Sequence, residues 1–279
     1  MSDALLQVRD LTKDFTVRSG NALFGRKSTF RAVDAVSFDV PPGQTLAIVG
    51  ESGSGKSTTA RMVAKLIEPT SGTLSLHGED FTHARGQQLA RFRSDIQVVF
   101  QDPFSSLNPK HTVERILAAP LDYQGIKPAG GRRAFTRALM EQVGLNPDHL
   151  LRYPAQFSGG QAQRIGIARA LAVAPRLVIC DEAVSALDVT VQAQVIDLLR
   201  RLQQQLGLAY IFIAHDLAVV RRIAHRVAVM SKGVIVEQGS CQDVMRNPRD
   251  PYTKTLLAAI PQINPEWDRR RQENAKELA

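Results

Sequence analysis

Cysteine is scarce: the 279 residues contain two, Cys180 and Cys241. Two thiols cannot build a disulfide framework, and no paired CxxC that would hold structural zinc occurs. No stretch approaches the ~18–20 uninterrupted apolar residues of a membrane span. The opening "MSDALLQVRD" carries acidic residues and no long apolar run, which argues against a secretory leader and makes the cytoplasm the expected compartment. Aromatic residues are only 6% of the chain, and no aromatic series interleaves with the basic clusters at 131–137, 221–226 and 268–271. A stacking platform for nucleic acid is therefore not expected, despite a net charge of +8. Scattered basic residues equally suit work beside an anionic inner leaflet. What is present, 44% hydrophobic and 22% charged residues, is ordinary for a globular protein with a sizeable core, in one large or two smaller domains.

Runs that are apolar throughout alternate with helix-period segments between about 45 and 230. "TLAIVG" (45–50), "IQVVF" (96–100), "RLVIC" (176–180), "AYIFIAH" (209–215) and "RVAVM" (226–230) read as strands covered on both faces. Helical patterns fall at 56–67, 159–173, 189–206 and 216–224. This alternation predicts an α/β fold around a mostly parallel sheet. "LLQVRDL" and "AVDAVSFDV" predict half-exposed antiparallel strands in an N-terminal β part, and "VRSGNALFGRKST" between them reads as an irregular surface excursion. From 104 to about 157, proline, glycine and short helical patterns dominate, which predicts an inserted helical subdomain.

"GESGSGKST" (50–58) fits the phosphate-loop pattern G-x-x-x-x-G-K-[ST] at Gly50, Gly55, Lys56 and Ser57, and it follows a predicted strand and opens a predicted helix. Glycines let backbone N–H groups wrap phosphate oxygens. Lys56 would neutralise β and γ phosphates, and Ser57 would offer its hydroxyl to Mg²⁺. A mere glycine-rich turn with an exposed lysine is the bland alternative, but strand, motif and helix in register argue against it. "RLVICDE" delivers Asp181 and Glu182 to a strand's C-terminal edge, where open α/β sheets bind ligands. Asp181 suits Mg²⁺ through water, and Glu182 suits the attacking water, as general base or by orienting it. Gln101 ends "IQVVFQ", where a neutral amide would contact Mg²⁺ or water. His215 ends another strand, near the expected γ phosphate, and Asp188 in "SALD" follows Glu182 by a short turn.

A second anion-facing helix start lies in "FSGGQAQRIGIARAL" (157–171): Ser158 can cap, and Gly159 and Gly160 admit close approach, but the turn holds no cation. It begins at the edge of the helical insert, so it would serve a nucleotide on another copy of the fold. Two chains head to tail would then enclose two ATP molecules, each between the phosphate loop of one and Ser158, Gly160 and Gln161 of the other.

This full set resembles the ATP-binding cassette superfamily of P-loop NTPases over roughly residues 5–240. "GESGSGKST" (Gly50, Glu51, Ser52, Gly53, Ser54, Gly55, Lys56, Ser57, Thr58) is similar to its Walker A motif and "LVICDE" to Walker B. "FSGGQ" resembles the signature, with Ser158, Gly159, Gly160 and Gln161 facing nucleotide. Gln101 resembles the Q-loop, Asp188 belongs to the D-loop, and His215 matches the switch histidine. The resemblance implies ATP and Mg²⁺ as cofactors, with Ser57, Gln101 and Asp181 around the metal and Glu182, His215 and Gln101 in catalysis. It further implies a RecA-like nucleotide-binding lobe from 1–103 and 158–240, a helical signature subdomain over 104–157, and a C-terminal tail over 241–279. An aromatic residue near the N-terminus is implied to stack on adenine: Phe15 is the better match and Phe30 the rival. Phe157 replaces the leucine usual before the signature serine, and Ala183 stands where the family usually has proline.

"FQDPFSSLNPK", "DEAVSALDVTVQAQV" and "NPRDPYTKTLLAAIP" (247–261) resemble ATPase subunits of the oligopeptide, dipeptide and nickel importers, in particular the F-type partner. That likeness implies a second ATPase subunit, identical or different, two transmembrane permeases, a substrate-binding protein, and a peripheral position on the cytoplasmic face of the inner membrane. Peptides are the expected cargo; nickel or metal chelates and glutathione are alternatives. A soluble ATPase clamp on nucleic acid or ribosomes is the other-class alternative, but the tandem cassettes, coiled coils or zinc fingers such proteins carry are not seen. No nucleic-acid partner is expected.

Overall fold

The computed structural model describes residues 4–19 and 26–259. Strands β1 (Leu6–Ser19) and β2 (Arg26–Val40) pair, and β3 (Thr45–Val49) leads through a glycine-rich turn into α1 (Lys56–Val63). Then come β4 (Ser71–Leu76), β5 (Glu79–Asp80), α2 (Gly86–Asp95) and β6 (Ile96–Val99). The segment that follows is helical: α3 (Pro103–Ser106), α4 (Val113–Gln124), α5 (Arg132–Gln142) and short 3₁₀ turns at Pro147–Leu151 and Pro154–Gln156. The chain continues with α6 (Gly159–Leu171), β7 (Leu177–Asp181), α7 (Val189–Leu206), β8 (Ala209–Ala214), α8 (Leu217–Ile223) and β9 (Arg226–Ser231). It closes with β10 (Val234–Ser240), α9 (Cys241–Arg246) and α10 (Pro251–Ala258).

The strands form two sheets, β2-β1-β4-β5 and β10-β9-β3-β8-β7-β6. All pairings in the first are antiparallel. The second is parallel from β9 to β6, and β10 adds an antiparallel edge. Its strands read as unbroken apolar runs because both faces are buried. Along β8, Tyr210 and Phe212 enter a core shared with α4–α8, while Ile211 and Ile213 enter a core shared with α1, α2 and the antiparallel sheet. Such a sheet between two layers is what the predicted α/β fold requires.

The antiparallel N-terminal part is longer than the sequence suggests. "VRSGNALFGRKST" was expected to be irregular, yet strand pairing runs through both of its ends, with Thr16 opposite Thr29 and Ser19 opposite Arg26. Its residues 20–25 lie outside the described ones, as does the tail from 260 onward. The charged, polar stretch Arg26–Thr29 carries no apolar alternation; its partner β1 holds it in a sheet.

Candidate functional site

The five parallel strands β9, β3, β8, β7 and β6 point their C-terminal ends to one edge, and the chemistry collects there. Gly50 follows β3 with φ 149°, and a Cβ on it would stand 2.1 Å from the Met230 carbonyl oxygen of β9. Gly55, at φ 103°, caps α1 in the left-handed region, where a Cβ would meet the Ala32 carbonyl oxygen at 2.6 Å. No side-chain oxygen caps α1 and no acid lies in its first turn. Its N-terminal amides are thus left to an outside anion.

Lys56, the first residue of α1, is 4% exposed, and its ammonium donates to the carbonyls of Gly50 at 2.8 Å and Glu51 at 2.7 Å. Burial pushes its pKa down, opposed by the carboxylates of Glu182, Asp181 and Glu51. The next side chain, Ser57, donates its hydroxyl to Asp181 Oδ1 at 2.9 Å, joining α1 to the end of β7. A serine hydroxyl and a carboxylate meeting at one point beside a buried lysine fit a divalent ion shared with phosphate. Among the described residues no trio of His, Cys, Asp or Glu gathers that could hold a metal alone. The Ser57–Asp181 pair suits Mg²⁺, which keeps waters and takes phosphate oxygens with few protein ligands.

Glu182 follows Asp181 with a left-handed φ of 50°, a conformation that costs a non-glycine residue and tends to mark functional turns. The turn holds this shape without the usual proline: Ser185 donates its backbone N–H at 3.1 Å and its hydroxyl at 2.9 Å to the Glu182 carbonyl, while Ala183 is buried beneath. Gln101 was expected at the metal. Its amide instead donates to Ser185 Oγ at 3.2 Å, and Ser185 in turn donates to the carbonyl of Glu182, the residue after Asp181. His215 and Glu182 line one small crevice with Ser185, Gln192 and Asp216. Ser185 was not singled out in the sequence, because a lone serine in a turn carries no pattern.

A cavity of about 320 Å³ opens over the loop, lined by Phe15, Phe30, Ser52, Gly53, Gly55, Lys56, Ser57, Thr58 and Glu182. Phe15 and Phe30 are cross-strand partners on β1 and β2. At 38% and 57% exposed, neither is a core residue, so the adenine rivals of the sequence reading are two sides of one aromatic wall. Lys13 sits with its ammonium 5.2 Å from the Phe15 ring.

The second helix start lies on a separate cavity of about 320 Å³, lined by Gly144, Ser158, Gly160, Gln161, Arg164 and Gln194 among others, and sharing no residue with the first. Ser158 Oγ accepts the Gln161 N–H at 3.4 Å, and Gln161 Oε1 accepts the Ser158 N–H at 3.0 Å, a reciprocal capping box. Gly160 has a further reason to be glycine: a Cβ there would meet Val191 Cγ1 of α7 at 2.4 Å. The turn itself holds no cation, but Arg164 on the same helix lines the cavity, its guanidinium donating to the Val143 carbonyl at 3.2 Å and to Gln194 Oε1 at 3.1 Å. Asp188 Oδ1 caps α7 by accepting the Val191 N–H at 3.0 Å.

The fold and this edge define a P-loop nucleotide-binding protein. Residues 33–185 match the ABC transporter family, and residues 236–279 match the oligopeptide/dipeptide transporter C-terminal region. The chain belongs to the ABC transporter family. It is similar to the glutathione import ATP-binding protein GsiA of Escherichia coli (strain K12), 49% identical over 268 residues that make up 96% of this chain and 43% of that protein. The GsiA of Salmonella typhi is likewise 49% identical, over 97% of this chain and 43% of its own length. The chain thus spans less than half the length of these relatives. Among solved structures, the dimeric post-hydrolysis state of the ATP-binding cassette MJ0796 bound to ADP and Pi superposes with TM-score 0.73 and 27% identity, covering 85% of this chain and 98% of that one. The cbiO1 protein of Clostridium perfringens shares the fold at TM-score 0.75 and 24% identity, over 94% and 98% of the two chains.

Proposed function

We propose that the chain binds ATP with Mg²⁺ and hydrolyses it to energise a membrane importer, working as one of two cassettes beneath two permease subunits. The observation that carries this is the Ser57–Asp181 contact at 2.9 Å beside buried Lys56, at the mouth of an aromatic-walled cavity. The match of residues 236–279 to the oligopeptide/dipeptide transporter C-terminal region supports an importer over a nucleic-acid or ribosome clamp.

In this reading Lys56 turns from the Gly50 and Glu51 carbonyls to the β and γ phosphate oxygens, while α1 offers its uncapped amides to the same phosphates. Ser57 would hold Mg²⁺ directly and Asp181 through water; when bound, the ion offsets charge developing on the β and γ oxygens. Glu182 takes or orients the proton of the water that attacks the γ phosphorus as the bond to the β–γ bridging oxygen breaks. His215 and Gln101 flank that water from the strand ends and the start of the insert. Ser158, Gly159, Gly160 and Gln161 of a second copy close over the triphosphate, aided by Arg164, and Asp188 lies beside that closure. Phe15 and Phe30 receive the adenine.

The lobe boundaries are proposed at 1–103 and 158–240, with the helical signature subdomain at 104–157 and the tail from 241. Among the described residues no helix is long and apolar enough to cross a membrane, so permeases must supply the path. A groove of about 380 Å³ between sheet and insert, with exposed Phe100 and Tyr123 on its rim, offers an apolar seat for a permease helix. In this reading the chain sits peripherally on the cytoplasmic face of the inner membrane, with a binding protein presenting cargo from the other side. Peptides are the cargo class. The likeness to GsiA, a glutathione import ATP-binding protein, favours a second reading within it, the tripeptide glutathione.

The test is nucleotide binding and phosphate release by the purified chain, followed by uptake with its permeases. Lys56→Ala should abolish both ATPase activity and uptake. A wild-type chain that binds no ATP, or a Lys56→Ala chain that still drives uptake, rejects the proposal. Competition among glutathione, dipeptides and longer peptides in the same assay separates the cargo readings.

A further inference from the structure

The C-terminal region reaches the phosphate loop through a hydrogen bond. The backbone N–H of Glu51, second residue of that loop, donates to the hydroxyl of Tyr252 on α10 at 3.0 Å. The same residue's carbonyl accepts from Lys56 Nζ at 2.7 Å. One residue therefore carries Tyr252 on its N–H and the phosphate lysine on its C=O.

Tyr252 is itself held from behind. Asp250 Oδ1 caps α10 by accepting the N–H of Tyr252 at 2.8 Å and of Thr253 at 3.4 Å. The Glu237 carboxylate on β10 accepts the N–H of Arg249 at 2.9 Å and of Asp250 at 3.1 Å. Strand β10 pairs with β9, and β9 with β3, the strand that leads into the loop. The path from β3 through β9, β10, Glu237 and Asp250 to Tyr252 returns to Glu51 as a closed circuit. The Tyr252 ring is half-buried against the larger core, which fixes where its hydroxyl points.

We infer that Tyr252 is a positioning residue for the nucleotide: its hydroxyl anchors the Glu51 peptide so that the loop keeps its phosphate-ready shape when Lys56 leaves the Glu51 carbonyl. This rests on the reading of the loop as an ATP site given above. Without the hydroxyl, the Glu51 N–H loses its anchor as the lysine withdraws from the adjoining carbonyl, and ATP must order a loop that is otherwise ordered already. The C-terminal region then acts on ATP affinity, and by linkage ATP tightens that region.

The experiment compares the full wild-type chain with Tyr252→Phe, which removes the hydroxyl and keeps the ring. ATP binding is measured by calorimetry, and the thermal midpoint without nucleotide is measured alongside. The expected result is an ATP affinity lower by about two- to tenfold, the range of one ordinary hydrogen bond, at an unchanged midpoint. Hydrogen exchange of α10 should also slow on adding ATP to the wild type and respond less in the variant. An unchanged affinity overturns the inference; so does a loss of affinity that merely accompanies a lowered midpoint, the mark of a purely structural tyrosine. Failure of the wild type to bind ATP would instead sink the functional reading, and this inference with it.

Discussion

The two glycine-rich helix starts use their first-turn amides in opposite ways. At α1 the cap is Gly55, no side chain accepts from the first turn, and a buried lysine stands beside it. At α6, Ser158 and Gln161 satisfy one another in a capping box, and the nearest cation, Arg164, is engaged by Val143 and Gln194. The first leaves its first-turn amides without a side-chain partner, so they are open to an anion, while Lys56 has the carbonyls of Gly50 and Glu51 to leave. At the second, the amides of Ser158 and Gln161 already have partners in the single chain, and those two bonds would be traded for new ones. In the proposed function the difference divides affinity from control: α1 would grip the triphosphate, and α6 would respond to the arrival of a second chain.

The sharpest way to break this comparison is Glu182→Gln. If catalysis belongs to the α1 edge, phosphate release should fall by about 10²–10⁴-fold while ATP binding persists, as for loss of a general base. Wild-type turnover in that variant would remove Glu182 from its role. A smaller effect is expected from Gly160→Ala, whose new Cβ collides with Val191 at 2.4 Å. Overpacking there should cost roughly 1–3 kcal/mol in denaturant unfolding without altering ATP binding by the monomer. Val191→Ala in the same chain should restore most of it, and an absence of rescue would show that the collision is not the cause. The smallest effect concerns the floor beneath the first site. Burial, and then the charge of Asp181, pushes the Cys180 thiol up to about 12, so it carries almost no thiolate at neutral pH. Burial also raises Cys241, which is only half-buried. A thiol reagent at pH 8 should label Cys241 slowly and Cys180 only after unfolding, with the Cys241 rate rising with pH. Prompt labelling of both would mean that β7 opens readily.

Much of the site was legible because its residues sit at fixed offsets from buried strands. Asp181, Glu182 and His215 end or follow runs whose two-sided burial is written as unbroken apolar sequence, and the phosphate loop joins such a strand to a helix. Half-buried elements were less legible. In α2 only Phe92 is fully buried, so no periodic stripe marks the helix. The edge strand β10 exposes alternate residues weakly, and "VIVEQGS" reads as well as a turn. Contacts between segments far apart were not legible at all. Nothing near Glu51 announces Tyr252, 201 positions away, and nothing in "SGGQ" shows that Gly160 exists partly for Val191.

The cradle between Gly160 and Val191 also bears on motion. With no side chain at the crossing, α6 and α7 are wedged together two residues past Ser158 and close to the Asp188 cap of α7. A push on one of these tips is passed to the other through this contact, so in the proposed dimer a second cassette would press on both together.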